Sequence, residues 1–518
     1  MTHSAPLFRG ASGAWRVTMM AVLGVAPWQV QAQNWFVQPV VKGEVTATSN
    51  SGYSSSSEAH SDVIVNVSPG LIAHGNMPHA RLDAAFYVDA IGYVNGTQSN
   101  RLLPHGFVDL NSTLVERLLF LDTSASAAQT SQTPYAARPD GASSYNAQTT
   151  AQYRIKPYVQ RELAPNWQLN AHADNTWVHT SGGANDVAAD PRNNAYVQDQ
   201  FVSIERKPVP FGGELQLGRQ DTRYSGRSTS ALVIDKARAI GSYSFYDELE
   251  AGLIGGHERD KVPYGEISDA IYGLRTRWQP NERTRLDATA EHHFFGLGWD
   301  AEFAHRTPFH AWTIRLSRQA TTYASSLASL SAGGNVDQEL DKILATRFPD
   351  PVARSQEAQA LKTRYGLPDN LTGPIDIYSE GADLEQSASA TYVYTGRRDT
   401  LACTYYVQRR EPLVIPGAPS SLDPLLAVGN SQQGLAFQFA HRLTPVTALD
   451  AQARWSRLSG RGASEGSYSR ESVYRAGLNW QLAPKTTGAM GLRWQHLRSN
   501  VATDAEETAL YVSLDHRF

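Results

Sequence analysis

The chain has 518 residues, with 46 lysines and arginines against 50 aspartates and glutamates, and its net charge of −4 gives no indication of nucleic-acid binding. Its single cysteine, Cys403, excludes an intrachain disulfide framework and a cysteine-rich metal or haem site. No run of eighteen apolar residues follows residue 32, which excludes transmembrane helices from the mature chain.

The N-terminus has the features of a secretory signal peptide. Arg9 and Arg16 give it positive charge, residues 17–30 are mostly apolar, and small residues before position 33 suit a cleavage site. We therefore predict a signal peptide over residues 1–32 and one exported domain over residues 33–518, with a frayed soluble N-terminus as the alternative. An exported chain without a transmembrane helix can span a membrane only as a closed β-barrel.

Stretches of alternating apolar and polar residues recur along the mature chain, at 35–48, 82–94, 286–292, 312–317 and 449–456 among others. They are about 9–13 residues long, as membrane-spanning strands must be. Strands of soluble domains average about 5–6 residues. The pattern therefore favours a transmembrane barrel over a soluble sandwich.

The connections between these stretches alternate between short and long. The short ones, which carry Pro, Asn, Asp or Gly as tight turns require, are 75–79, 163–166, 279–282, 306–309, 396–399, 443–446 and 482–485. The long polar ones are 49–60, 124–148, 179–193, 257–267, 319–382, 411–429 and 458–467. Since alternate connections of antiparallel strands lie on opposite sides, this predicts an all-β, antiparallel outer-membrane barrel with periplasmic turns and extracellular loops. We expect roughly 22 strands, within a range of about 18–24.

The connection 319–382 contains an apolar pattern with helical spacing over 336–365, which Pro349 and Pro351 divide in two. We predict two short helices in an extracellular or lumenal insert. The insert either narrows the lumen or covers the outer mouth.

The chain ends on a strand, residues 509–518, whose apolar residues Leu510, Val512 and Leu514 precede a terminal aromatic, Phe518. This strand resembles the C-terminal signal of bacterial outer-membrane barrels. The expected partners are therefore the barrel-assembly machinery and the lipid of the outer membrane, including lipopolysaccharide.

Charged residues occupy the polar positions of many predicted strands and are candidates for the lumen wall. They are Arg154, Lys156, Arg275, Arg277, Arg315, Arg454, Arg475, Arg493, Asp287, Glu291, Asp300 and Glu302. The arginines suit contact with an anionic glycan, since a guanidinium holds carboxylate or phosphate in a bidentate way. The alternative is a wall of mutually neutralising charges that only stabilise the barrel.

No set of residues predicts catalysis, a cofactor or a metal ion. The sequence Gly-Ala-Ser-Glu-Gly at 462–466 matches a nucleophile elbow but lies between two predicted strands, whereas the elbow needs a strand-to-helix turn. His292 and His293 are adjacent, so on a strand they face opposite sides. We therefore expect a protein that is not an enzyme, with a barrel-embedded hydrolase as the least favoured function.

Several segments resemble the outer-membrane barrels associated with PEP-CTERM/exosortase and exopolysaccharide systems of Gram-negative bacteria. They are residues 67–70, 119–126, 292–296 and 303–308, together with the insert that ends near 365–368. The resemblance implies a porin-like channel or accessory barrel that serves envelope polysaccharide or protein export, with polysaccharide-export components as partners. The alternative is a non-conducting barrel that is structural or binds a surface partner.

Overall fold

The computed structural model describes residues 34–131, 134–138, 146–181, 194–225, 230–328, 381–413, 428–462 and 464–518, and the single positions 344, 373, 374, 377 and 379. The predicted signal peptide lies outside the described residues, as does the predicted helical segment 336–365 apart from the buried Leu344. No helix among the described residues is long and apolar enough to cross a bilayer.

Twenty-two strands form one antiparallel sheet. They are Asn34–Thr48 (β1), Asp62–Met77 (β2), Ala80–Tyr93 (β3), Arg101–Val115 (β4), Leu119–Ser131 (β5), Ala147–Ala164 (β6), Trp167–Ser181 (β7), Ala195–Arg206 (β8), Phe211–Tyr224 (β9), Leu232–Tyr246 (β10), Leu249–Val262 (β11), Gly265–Asn281 (β12), Thr284–His293 (β13), Gly296–Arg306 (β14), His310–Thr322 (β15), Ala382–Thr395 (β16), Asp399–Pro412 (β17), Val428–Thr444 (β18), Thr447–Gly462 (β19), Tyr468–Ala483 (β20), Thr486–Ser499 (β21) and Ala505–Arg517 (β22). Each strand pairs with its neighbours in sequence. The last strand pairs with the first, from Val40 opposite Arg517 to Thr48 opposite Ala509, and closes the barrel. The predicted fold class and strand number are confirmed.

The two ends of the barrel differ in the length of their connections. On the side of the termini, which we call the turn side, all ten connections contain two to four residues. On the opposite, loop side, the longest connections lie between β1 and β2, β5 and β6, β7 and β8, β15 and β16, and β17 and β18. One predicted loop is wrong. Residues 257–267 form the tight hairpin of β11 and β12, in which Val262 pairs with Gly265.

Alternation along the strands separates an apolar outer face from a polar lumen. On β12, Tyr272 and Leu274 point outwards and are 59% and 60% exposed, whereas Arg275 and Arg277 point inwards to carboxylates. Tryptophans with exposed rings, such as Trp35, Trp167 and Trp312, lie near the turn-side ends of their strands. An apolar outer band with aromatic residues at its edge is the surface that a transmembrane barrel presents to lipid.

Apolar side chains pack together inside the barrel at its loop side. One cluster joins Leu232, Ile234, Val262, Ala382 and Leu413, which come from β10, β11, β16 and the residue after β17. The hydroxyl of Tyr264, in the β11–β12 turn, donates a hydrogen bond to the carbonyl of Leu413. These contacts fix loop-side connections to the inner wall.

Candidate functional site

The lumen wall carries the twelve charged residues that the sequence singles out. They lie on β6, β12, β13, β14, β15, β19, β20 and β21, on the face opposite the exposed apolar side chains. On β6, for example, Arg154 stands between Tyr153 and Ile155, which are 53% and 44% exposed on the outside. Strand periodicity therefore places all twelve on the inner face.

At least six of the eight cations in this set contact a carboxylate. The pairs are Arg154 with Asp174, Arg275 with Glu214, Arg277 with Glu205, Arg315 with Glu302, Arg454 with Glu471, and Arg493 with Glu507. The guanidinium of Arg475 lies 5.6 Å from the centre of the Tyr511 ring. Of the two interpretations that the sequence leaves open, this pairing favours mutual neutralisation over a free cationic path.

Some of these pairs join strands that are not neighbours. Arg277 Nη1 on β12 lies 2.8 Å from Glu205 Oε1 on β8, four strands away. Neighbouring strands lie about 4.8 Å apart, so the two backbones are roughly 19 Å apart along the wall. Contact over that separation requires the wall to bend sharply around the lumen. The bend, which is also lined by Arg238, Arg275 and Asp287, encloses a cavity of about 520 Å³.

Residues 134–138, within the connection between β5 and β6, contact a distant part of the wall at the loop side. The backbone N–H of Arg138 donates to Glu471 Oε1 on β20 at 3.0 Å, and its Nη2 donates to the Tyr406 hydroxyl on β17 at 3.0 Å. Arg138 Nε lies 3.7 Å from Glu471 Oε2, and the two side chains are 12% and 4% exposed. Because β20 is seven strands from β5 around the wall, this segment lies against a distant part of the wall. We call these Arg138 contacts the latch.

Neighbours of Arg138 add further contacts at the same place. Ala137 packs with Tyr53, Leu497 and Ala505, all of them buried. Burial raises the pKa of the Tyr135 hydroxyl, although hydrogen bonds with Ser464 and Ser467 of the β19–β20 connection oppose the rise. The segment 134–138 is thus docked on the wall from three directions.

A second segment inside the loop-side mouth is the short helix Tyr323–Ala328 (α1), which follows β15 directly. Its Tyr323, Ala324 and Leu327 are buried against a cluster on β7, β8 and β9 that includes Val178 and Val197. The opposite side of the helix is tied to β17, where Arg410 Nη2 donates to Ser326 Oγ at 2.7 Å. The insert between β15 and β16 therefore begins inside the barrel.

The sequence predicts that the insert 319–382 narrows the lumen or covers the outer mouth, but it gives no sign of the latch. The segment 134–138 is too short to show apolar periodicity, and the hydrogen-bond partners of Arg138 are more than 200 residues away in the sequence. The only signal in the sequence is that the connection is long. Its length allows contact with distant strands but does not indicate which residues it contacts.

The residues considered for chemistry are separated by the strands. His292 faces outwards and stacks on Tyr272 at 4.8 Å, whereas the buried His293 faces inwards between Glu258 and Glu291. Ser464 lies in the turn between β19 and β20 and not at a strand-to-helix turn. In the described part of the chain, no group of three or more His, Cys, Asp and Glu residues could hold a metal ion.

Comparisons with known proteins give fold-level likeness alone. No family model and no curated protein matches the chain. Among solved structures it is similar to the outer membrane protein OmpT of Vibrio cholerae, with 8% identity over 94% of this chain and 99% of that chain and a TM-score of 0.32. It is also similar to the siderophore receptor PirA from Pseudomonas aeruginosa (10% identity, 93% of this chain, 80% of that chain, TM-score 0.32) and to the ferric citrate transporter FecA (10%, 93%, 78%, TM-score 0.38). The chain has the fold of an outer-membrane β-barrel, and its own closure and outer surface establish that fold.

Proposed function

We propose that this protein is a gated channel in the outer membrane of a Gram-negative bacterium, and that it serves an envelope exopolysaccharide or PEP-CTERM-associated export system. The system is inferred from the resemblance of the sequence segments. The gate rests on one observation, which is that the latch and helix α1 fix loop-side connections to distant parts of the wall of an otherwise polar lumen. Partners of this channel would be polysaccharide-export components, and the barrel-assembly machinery would insert it.

The latch has the properties of a gate that can open. Arg138 makes polar contacts with Glu471 and Tyr406, and it belongs to a connection of 15 residues between β5 and β6. Polar contacts of this kind exchange readily with water, since each contributes only about 0.5–3 kcal/mol. Movement of one segment would therefore widen the mouth without unfolding the wall.

The paired charges of the lumen wall limit the charge of the polymer that the channel can admit. With its arginines held by carboxylates, the wall does not carry a continuous cationic path. A long neutral or weakly charged polymer would pass with little electrostatic penalty. A strongly anionic polymer would meet Asp300 and the carboxylates already engaged in pairs.

Single-channel recording of the purified barrel in a planar bilayer tests the gate. We expect brief or small openings for the unmodified protein and larger, more frequent openings for Arg138→Ala and for Glu471→Gln. Arg219→Ala is the matched control, because Arg219 is an exposed arginine on the outer face and pairs with Asp235. Silence of all four proteins would favour the non-conducting structural barrel and overturn the channel.

The export role has a separate test. Deletion of the gene should lower surface polysaccharide, and the unmodified gene should restore it. The Arg138→Ala variant should restore polysaccharide and also make cells leaky to large antibiotics. Unchanged surface polysaccharide in the deletion strain would remove the export assignment while leaving the channel intact.

A further inference from the structure

Three arginines form a row across the outer face of the barrel near its loop side. Arg457 on β19 pairs in register with Arg470 on β20, and Arg470 pairs with Arg498 on β21. Residues directly opposite each other on antiparallel strands have Cα atoms about 4.5–5.5 Å apart, so the whole row spans about 10 Å. We call these residues the arginine row.

All three side chains point to the outside and are exposed. Arg457 shares its face with Trp455, and Arg470 shares its face with the exposed Tyr468 and Tyr474. Arg498 shares its face with Leu492, which is 58% exposed. The row therefore lies on the lipid-facing side of the wall, above the apolar band and at its loop-side edge.

The outward carboxylate of the next strand, Glu506, accepts a hydrogen bond from Trp494 Nε1 at 2.8 Å, and no carboxylate of the described residues lies within salt-bridge distance of the arginine row. None of its three members forms a salt bridge or side-chain hydrogen bond with the described residues, whereas other outward arginines do. Arg219 contacts Asp235 at 3.1 Å and Arg259 contacts Glu266 at 3.3 Å. Like charges placed directly opposite each other destabilise a sheet. Binding of one anion by all three arginines would relieve this repulsion and stabilise the sheet.

The surroundings of the row specify the chemistry of that anion. On the turn-side flank of the row the outer face carries an aromatic pair, Tyr474 and Trp494, whose ring centres are 5.5 Å apart. Amphipathic aromatic rings of this kind sit at the level of lipid headgroups. An anion held at this height beside acyl chains is the phosphate of a membrane lipid. The guanidinium group suits it because it binds phosphate in a bidentate geometry.

We propose that the arginine row binds the phosphates of the lipopolysaccharide in the outer leaflet. The loop side of the barrel faces the cell exterior, where lipopolysaccharide is the phosphate-bearing lipid in contact with the wall. The acyl chains then lie along the apolar face below, over Leu492 and Leu478. This site is on the outside of the wall, so it is independent of whether the lumen conducts.

Binding of purified lipopolysaccharide to the refolded barrel in zwitterionic detergent tests the site. We expect the triple variant Arg457→Gln, Arg470→Gln and Arg498→Gln to bind at least about tenfold more weakly, because charge-assisted hydrogen bonds to phosphate are lost. The matched control is the double variant Arg219→Gln and Arg259→Gln, which removes outward arginines that already have carboxylate partners. It should bind as the unmodified protein does. Dephosphorylated lipopolysaccharide should bind the unmodified protein as weakly as the intact lipid binds the triple variant.

Thermal unfolding gives a second measurement, which distinguishes loss of lipid binding from loss of folding in the variant. Without lipid, the triple variant should unfold at the same or a higher temperature, since repulsion between the arginines is removed. Lipopolysaccharide should raise the midpoint of the unmodified protein and leave that of the triple variant almost unchanged. Equal lipid binding by the triple variant would overturn the proposal. The proposal would also be overturned if the triple variant lost binding to a soluble anionic polysaccharide but still bound lipopolysaccharide. The partner of the row would then be a polymer and not a lipid.

Discussion

The most informative single perturbation is at the seam that closes the barrel. Glu507 on β22 pairs with Arg493 on β21 through Nε–Oε2 and Nη2–Oε1 distances of 3.0 and 2.8 Å, and the side chains are 0% and 2% exposed. The same carboxylate accepts hydrogen bonds from Thr48 of β1 and from Tyr53 of the β1–β2 loop, both at 2.7 Å. Glu507→Gln keeps the shape but leaves Arg493 buried without this counter-charge. Removal of one partner from a buried pair costs about 3–5 kcal/mol.

Urea unfolding of the barrel in lipid vesicles, followed by tryptophan fluorescence, measures that cost. The matched control is Glu302→Gln, since Arg315 Nε–Glu302 Oε2 is a 3.2 Å pair with side chains 46% and 45% exposed, and such pairs contribute only about 0–1 kcal/mol. Replacing both seam partners, with Arg493→Met and Glu507→Leu, should recover most of the loss because no charge remains buried. A Glu507→Gln variant that loses no more stability than Glu302→Gln would contradict this expectation, and so would a double replacement as unstable as the single one.

Three further outcomes are expected. Leu253→Arg should destabilise folding into vesicles by about 2–4 kcal/mol while Leu253→Met stays neutral, because this side chain is 70% exposed on the lipid face; equal stabilities would place it outside the bilayer. Deletion of Phe518 should lower outer-membrane levels, since its backbone N–H donates to the Pro39 carbonyl at 3.0 Å and it ends the predicted assembly signal; unchanged levels would remove that signal. Gly106→Ala should lower the thermal midpoint, since φ is +146° and a Cβ would lie 2.2 Å from the Ala85 carbonyl oxygen; an unaltered midpoint would show that the β3–β4 pairing adapts.

The fold could be predicted because two sequence signals are independent of each other. Period-2 alternation of apolar and polar residues marks the strands. The alternation of short and long connections assigns each strand end to the turn side or the loop side of the barrel. In the 163–166 region, for instance, Pro165 and Asn166 mark a tight turn, and the structure places the connection at those two residues, with Asn166 at a φ of +67°. The backbone conformation of a tight turn depends on the residues within it, so those residues predict the turn.

The error at 257–267 has a physical cause. His257, Arg259 and Lys261 occupy the outward positions of β11, where apolar residues are expected in a membrane strand. The inward positions, Glu258 and Asp260, are polar as well, so the alternation disappears and the stretch resembles a loop. The strands continue past the apolar band, and beyond it both faces are polar. Alternation in hydrophobicity therefore marks only the part of a strand that faces lipid, whereas strand pairing continues beyond the apolar band.

The charge pattern of the lumen was visible in the sequence, but its pairing was not. Strand parity places Arg277 on the inner face, yet its partner Glu205 comes from four strands away and depends on the curvature of the wall. Curvature is a property of the closed sheet and is not encoded near either residue. The same holds for Arg138, whose partners lie across the mouth.

The different lengths of the connections determine where the lumen can be controlled. A turn of two residues, such as 165–166 or 484–485, spans at most about 7 Å when extended and cannot reach the axis of a barrel with 22 strands. The loop-side connections 132–146 and 323–381 are long enough to cross it, and both begin by packing on distant strands. Among the connections between strands, only those of the loop side can therefore reach into the lumen, where Arg138 and helix α1 meet distant parts of the wall.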